Sequence, residues 1–261
     1  PDGSFRFVPP EEFSGTAIFS YRISTSPVGS TPTQVRINVS KSLPRIVINE
    51  VMYNSVSANP TEEFIELYNN GTQEADLSGW RFTKGIEFTF PAGTTLGIDE
   101  YLVVAAEGLT FRTKYPGFRA KLLASWSGKL ANSGETIQLE DAEGQKIDEV
   151  SYSNEGSWAN RRRTGQDKYG RNGWIWEALH DGHGHTMELM NAAASNKTGQ
   201  NWTASKHPGG TPGYINSQAS LNVAPFISKV RHHPTIPSST NPVLVTAEVK
   251  DDNGGPPSKV L

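Results

Sequence analysis

Two runs in the first third of the chain set carboxylates among apolar neighbours. IVINEVMYN carries Glu50 near Asn54, and EEFIELYN carries Glu62, Glu63 and Glu66 near Asn69. Two carboxyls held about 5–10 Å apart across a cleft can serve as acid and base on a glycosidic bond. Adjacent strands could supply that spacing. The competing role is structural: a carboxylate beside an Asn-rich turn accepts backbone N–H bonds and fixes a loop.

A second constellation is DGHGHTME, Asp181 to Glu188. On an extended segment His183 and His185 point the same way, with Asp181 on that side too. Glu188 and His180 are close by, and imidazole plus carboxylate suits zinc, nickel or another divalent ion. Asp181, His183, His185 and Glu188 are therefore the candidate metal ligands. Gly182 and Gly184 favour the alternative, a solvated turn leading into the strand-like TMELMN.

The third is basic and aromatic: WANRRRTGQDKYGRNGWIW. Arg161, Arg162, Arg163, Lys168 and Arg171 stand against Asp167, beside Trp158, Tyr169, Trp174 and Trp176. Arg clusters engage phosphate and other anions, and aromatic faces stack on bases or sugars. Arg161, Arg162, Arg163, Trp158, Tyr169 and Trp174 are thus the candidate site for a glycan, another polyanion or, less favoured, nucleic acid. The alternative is that the Arg side chains cover aromatic rings and the Trp residues cap the core. His232-His233 beside Pro234 and DDNGG near the end read as turns, the latter lacking the spacing of a calcium loop. Sequons at Asn38, Asn70, Asn196 and Asn201 arise readily in polar loops. No G-x-S-x-G, phosphate-loop, H-E-x-x-H or dinucleotide motif is present.

The elements that must position these groups are short strands. In EEFIELYN, Phe64, Glu66 and Tyr68 share one face and Ile65, Leu67 and Asn69 the other, a period of two that argues a half-buried strand. YLVVAA is a continuous apolar run suited to a buried strand, and LTFRTKY before Pro116-Gly117 suits a short helix. Ala142-Glu143-Gly144 marks a hairpin turn. Many strands between turn signals, with almost no helical periodicity, indicate an all-β sandwich.

The 261 residues, 25 Gly and 17 Pro agree with a β-rich chain. A net charge of −3 argues against nucleic acid as a global partner. The absence of Cys removes disulfides, thiol catalysis and Cys-ligated zinc. No apolar run approaches the length of a membrane helix, and both ends read as cut from a longer polypeptide.

INEVMYN, EEFIELYNNG, ADLSGWRF, FPAGTTLGIDEYLVV, LANSGETIQLED, IDEVSY and GGTPGYIN, in that order, resemble a lamin tail domain. That resemblance implies an Ig-like β-sandwich over residues 45–216 and places the Glu50 and Glu66 positions in the fold signature. Residues 1–41, with the DGSF, FSG and FSY pattern, resemble the last strands of a cadherin-like or Ig-like repeat. Residues 217–261 resemble a linker and the first strands of an Ig-like or fibronectin-like domain. The expected whole is a non-enzymatic interaction module of a large secreted or surface-attached bacterial protein. It needs no cofactor beyond a possible divalent metal, and its partners would be proteins or surface glycans. The segment Gly156–His207, longer than a minimal domain of this kind requires, is where unusual chemistry is expected.

Overall fold

The computed structural model describes residues 7, 15–22, 31–39 and 45–251. The chain falls into two compact units, Pro1–Leu43 and Pro44–Leu261. In the first, β1 (Gly15–Tyr21) and β2 (Thr33–Val39) pair as an antiparallel hairpin. The DGSF part of the pattern read there lies outside the described residues.

The second unit begins with β3 (Ile46–Met52) and β4 (Phe64–Asn69), the two carboxylate-bearing runs. Next come β5 (Ala75–Asp76), β6 (Arg81–Lys84), β7 (Ile86–Thr89), β8 (Thr95–Leu96) and β9 (Tyr101–Ala105). The expected short helix is α1 (Gly108–Lys114), started by Glu107, whose carboxylate accepts from the Leu109 and Thr110 N–H groups. β10 (Lys121–Ala124), β11 (Ser127–Gly128), β12 (Gly134–Glu140) and β13 (Lys146–Ser153) follow. Beyond them lie β14 (Asn160–Gln166), β15 (Asn172–Glu177), β16 (Met187–Leu189), β17 (Trp202–Ala204), β18 (Phe226–His233) and β19 (Leu244–Lys250). No helix among the described residues is long and apolar enough to cross a membrane.

The architecture is all-β, an Ig-like sandwich. One sheet runs β10-β9-β4-β3-β16-β17 and the other β11-β7-β6-β12-β13. Ile48, Ile65 and Leu67 of the first meet Phe82, Ile137 and Val150 of the second in one core. Alternation along the strands is what lets each sheet offer an apolar face to the other. β4 departs from the half-buried strand its alternation suggested, because five of its six residues are buried. Its outer face is covered as well: Phe64 packs edge-on against Phe111 of α1 and against Tyr115, and Glu66 lies under a loop from residue 209 onward. Covering both faces is what drives a polar side chain into the interior.

β18 and β19 form their own two-stranded sheet. They cluster with the central unit, joined to it where Gln200 exchanges two hydrogen bonds with the Ile227 backbone. β14 and β15 form another hairpin, in which every residue but Thr164 is exposed.

Candidate functional site

The carboxylate runs converge on a feature the sequence did not reveal. Register places Glu50 of β3 opposite Glu66 of β4 on one side and opposite Glu188 of β16 on the other. All three are 0% exposed. The donors that satisfy them come largely from one segment, residues 211–218. Thr211 N donates to Glu50 Oε1 at 2.9 Å and Gly213 N to Glu66 Oε2 at 2.5 Å. Glu188 accepts from Thr211 Oγ1, Ser217 Oγ and Gln218 N at 2.8–3.0 Å. Asn49 Nδ2 completes Glu66 at 2.8 Å and also reaches Asn216, whose own amide donates to the Asn49 and Leu189 carbonyls. GGTPGYINSQ is thus clamped onto the sheet by acceptors.

Among the described residues no cation joins this row, so only hydrogen bonds oppose the effect of burial. Burial pushes the Glu50 carboxyl up to about 8, with Glu188 adding to the rise and Thr186 and the Thr211 N–H lowering it. Burial first, and then the Glu50 charge, raise Glu66 well above the usual carboxylate range. The Thr186 hydroxyl favours the Glu50 charge, although no regular hydrogen bond joins the two. Thr186 Oγ1 and Glu50 Oε2 both stand without a partner.

Glu63, also buried, accepts from Leu130 N at 2.8 Å and is raised by burial to about 7. Glu62 meets Lys114 at 2.6 Å. None of the four early carboxylates therefore pairs with another across an open cleft.

The metal set is not assembled. Glu188 belongs to the buried row, and Asp181 accepts from Asn54 and Asn154 at 2.6 and 2.8 Å. His185 Nδ1 lies 2.7 Å from the Ser205 carbonyl, and His183 is exposed. Among the described residues no group of three or more His, Asp or Glu side chains is placed to hold a metal ion. Asp181, His183, His185 and Glu188 are adjacent in sequence, but the turn at Gly182 and Gly184, both at positive φ, sends them to different partners. His180, close to them in sequence, is buried between Tyr53 Oη at 2.7 Å and the Trp158 carbonyl at 2.8 Å. Burial pulls its pKa down, partly offset by the Trp158 bond and Asp181.

In the basic-aromatic set one member lies apart from the others. Trp158 sits off the hairpin, half-buried against Trp202 at 6.1 Å, and so belongs to the core edge. The rest lie on β14–β15. Arg161 pairs with Trp176 and Arg163 with Trp174, so these four share one face, while Arg162, opposite Ile175, is on the other. The Arg161 and Arg163 guanidinium groups lie 4.7 and 5.7 Å from the Trp174 ring centre. At the tip Lys168 and Arg171 lie 4.9 and 5.4 Å from Tyr169. Asp167 is occupied by the turn, accepting from the Tyr169 and Arg171 N–H groups. Trp176, Lys168 and Arg171 complete the set.

A family model described as the Lamin Tail Domain matches residues 40–154. The match ends at the close of β13, so β14–β17, Glu188 and the 211–218 segment lie beyond it, although β16 and β17 complete the first sheet. None of the curated proteins searched matches the chain.

Proposed function

We propose, starting from the lamin tail domain over residues 40–154, that this chain is a non-catalytic interaction module. On this reading a rigid sandwich holds out the β13–β16 excursion for binding. One observation carries it: the carboxylates that could have done chemistry are sealed at 0% exposure, with a clamped loop over them, while the β14–β15 hairpin is open to solvent on both faces. A general acid or base must reach substrate; Glu50, Glu66 and Glu188 reach only sheet and loop. Rigid scaffolds that position exposed segments are a common basis for recognition. The same reading puts the chain in a large secreted or surface-attached protein with protein or glycan partners, on the strength of the repeat-like segments flanking the central one.

Amide hydrogen exchange tests this division of labour. The Thr211, Gly213 and Gln218 amides should exchange as slowly as core strands such as β9, and the β14–β15 amides should open at much lower free energy. Rapid exchange at 211–218 would mean that the carboxylate row opens to solvent, and the catalytic reading would then replace this one.

A further inference from the structure

The β14–β15 hairpin carries five cations, Arg161, Arg162, Arg163, Lys168 and Arg171, against Asp167 and Glu177. That is a formal +3 on a chain of −3, leaving −6 on everything else. Among the described residues Arg162 alone of the five has an ion-pair partner, Glu177 at 3.3 Å. The other four are held by ring faces, which fix their direction without neutralising them. Trp174, Trp176 and Tyr169 remain 52%, 42% and 66% exposed. Leaving three large rings and four uncompensated cations in water on a two-stranded ribbon contributes little to folding. It does create a preorganised surface, because Arg161 and Arg163 project from alternate positions with their guanidinium forks held over the Trp174 ring and available for oxyanions.

From this placement we infer that the Arg161–Arg163–Trp174–Trp176 face, continued by Tyr169 and Arg171 at the tip, binds an acidic polysaccharide. This inference rests on the interaction-module reading above and names its partner class. Carboxylate or sulfate groups on the sugar would take the guanidinium forks. The C–H face of a ring would lie on Trp176, which has no stacked neighbour among the described residues. A nucleic acid fits less well. Six strand residues extend about 20 Å, over which one strand of a duplex presents about six phosphates. They would face four free cations and press the remaining phosphates toward a body of −6. A polysaccharide acidic at alternate sugars brings fewer charges and more apolar ring surface.

The experiment titrates the full chain with hyaluronan oligosaccharides, acidic at alternate sugars, following tryptophan fluorescence at low and high salt. Neutral dextran and oligo(dT) serve as the other ligands. Binding to hyaluronan is expected, weakening with salt, with none to dextran. R161A/R163A should lose about tenfold or more, with a shallower salt dependence. R161K/R163K keeps the charge but loses the fork and should recover only part of the affinity. W176A should weaken binding without changing the salt slope. Because these side chains are exposed, all the variants should melt with the parent. No hyaluronan binding at low salt, equal affinity in R161A/R163A, or tighter binding of oligo(dT) would each overturn the inference. The first two outcomes leave the interaction-module reading standing, since exchange at residues 211–218 tests that separately.

Discussion

Replacing Glu50 by Gln removes an ionisable group from a place where three carboxyls stand side by side. The groups that face it are Glu66 on β4, Glu188 on β16, Thr186, and Thr211 from the covering loop, with the Tyr115 hydroxyl feeling its charge. None is a cation. Glu50 titrates at about 8 in the folded chain against 4.5 as a free side chain. Between those values the folded state holds a proton that the unfolded state has released. The slope of stability with pH is therefore negative across this window. Glu50 costs nothing below pH 4.5, destabilises increasingly up to about pH 8, and levels off above it. At about 1.4 kcal/mol per pH unit the cost reaches at most about 5 kcal/mol. Gln resembles the protonated acid: its carbonyl can accept from Thr211 N, and its amide offers Thr186 Oγ1 the partner it lacks. The assay is urea unfolding of parent and E50Q from pH 4.5 to 9. Glu63 falls in the same direction as Glu50 and His180 in the opposite one, but both are common to the two proteins and cancel in the difference, whereas Glu66, raised in part by the Glu50 charge, is relieved in E50Q and adds to the variant's gain. The two should be near equal at pH 4.5, with E50Q progressively more stable up to pH 8. Parallel curves, or a parent that gains on E50Q as pH rises, would refute a protonated buried Glu50.

Two further substitutions probe the same clamp. Gly210 has φ +71°, and a Cβ there would meet Glu50 Oε1 at 1.8 Å and Thr186 Oγ1 at 2.2 Å. G210A should therefore lose roughly 3 kcal/mol or more, and a loss below about 1 kcal/mol in urea unfolding would show that the loop is not held down here. E188Q leaves an amide donor facing Thr211 Oγ1, Ser217 Oγ and Gln218 N, all of which donate to the native carboxylate. It should lower stability by about 1–3 kcal/mol at neutral pH, and unchanged unfolding would mean that these bonds are replaced by water at no cost.

Much of this was legible in the residues. Alternation in EEFIELYN and the run YLVVAA located β4 and β9, and LTFRTKY gave α1, because those signals are local. The ordered motifs identified the lamin tail domain, which the family match supports over residues 40–154. The role of Glu188 was not legible. Its membership of the buried row depends on β16 pairing with β3, across more than 130 residues of chain. Its closeness in sequence to His183 and His185 pointed to a metal instead. Proximity along the chain misleads wherever a positive-φ glycine turns the backbone between the residues in question, as Gly182 and Gly184 do here.

The same contrast explains why GGTPGYIN was recognisable as a motif before it had a reason. Each of its constraints is met at a different strand. Gly210 must be bare so that Glu50 and Thr186 can approach. Thr211 contributes both its N–H and its hydroxyl, to Glu50 and Glu188. The Gly213 N–H reaches Glu66, and a Cβ at residue 213 would run into Phe118 at 2.9 Å. Asn216 ties the end of the motif to Asn49 and Leu189. A segment that must satisfy three buried carboxyls at once has little sequence freedom, because each unmet acceptor costs about 1–3 kcal/mol. The hairpin at 160–177 is under no such constraint, as its residues touch little besides one another. What the fold requires is therefore written in the clamp, and the binding surface proposed for this chain is written in the hairpin.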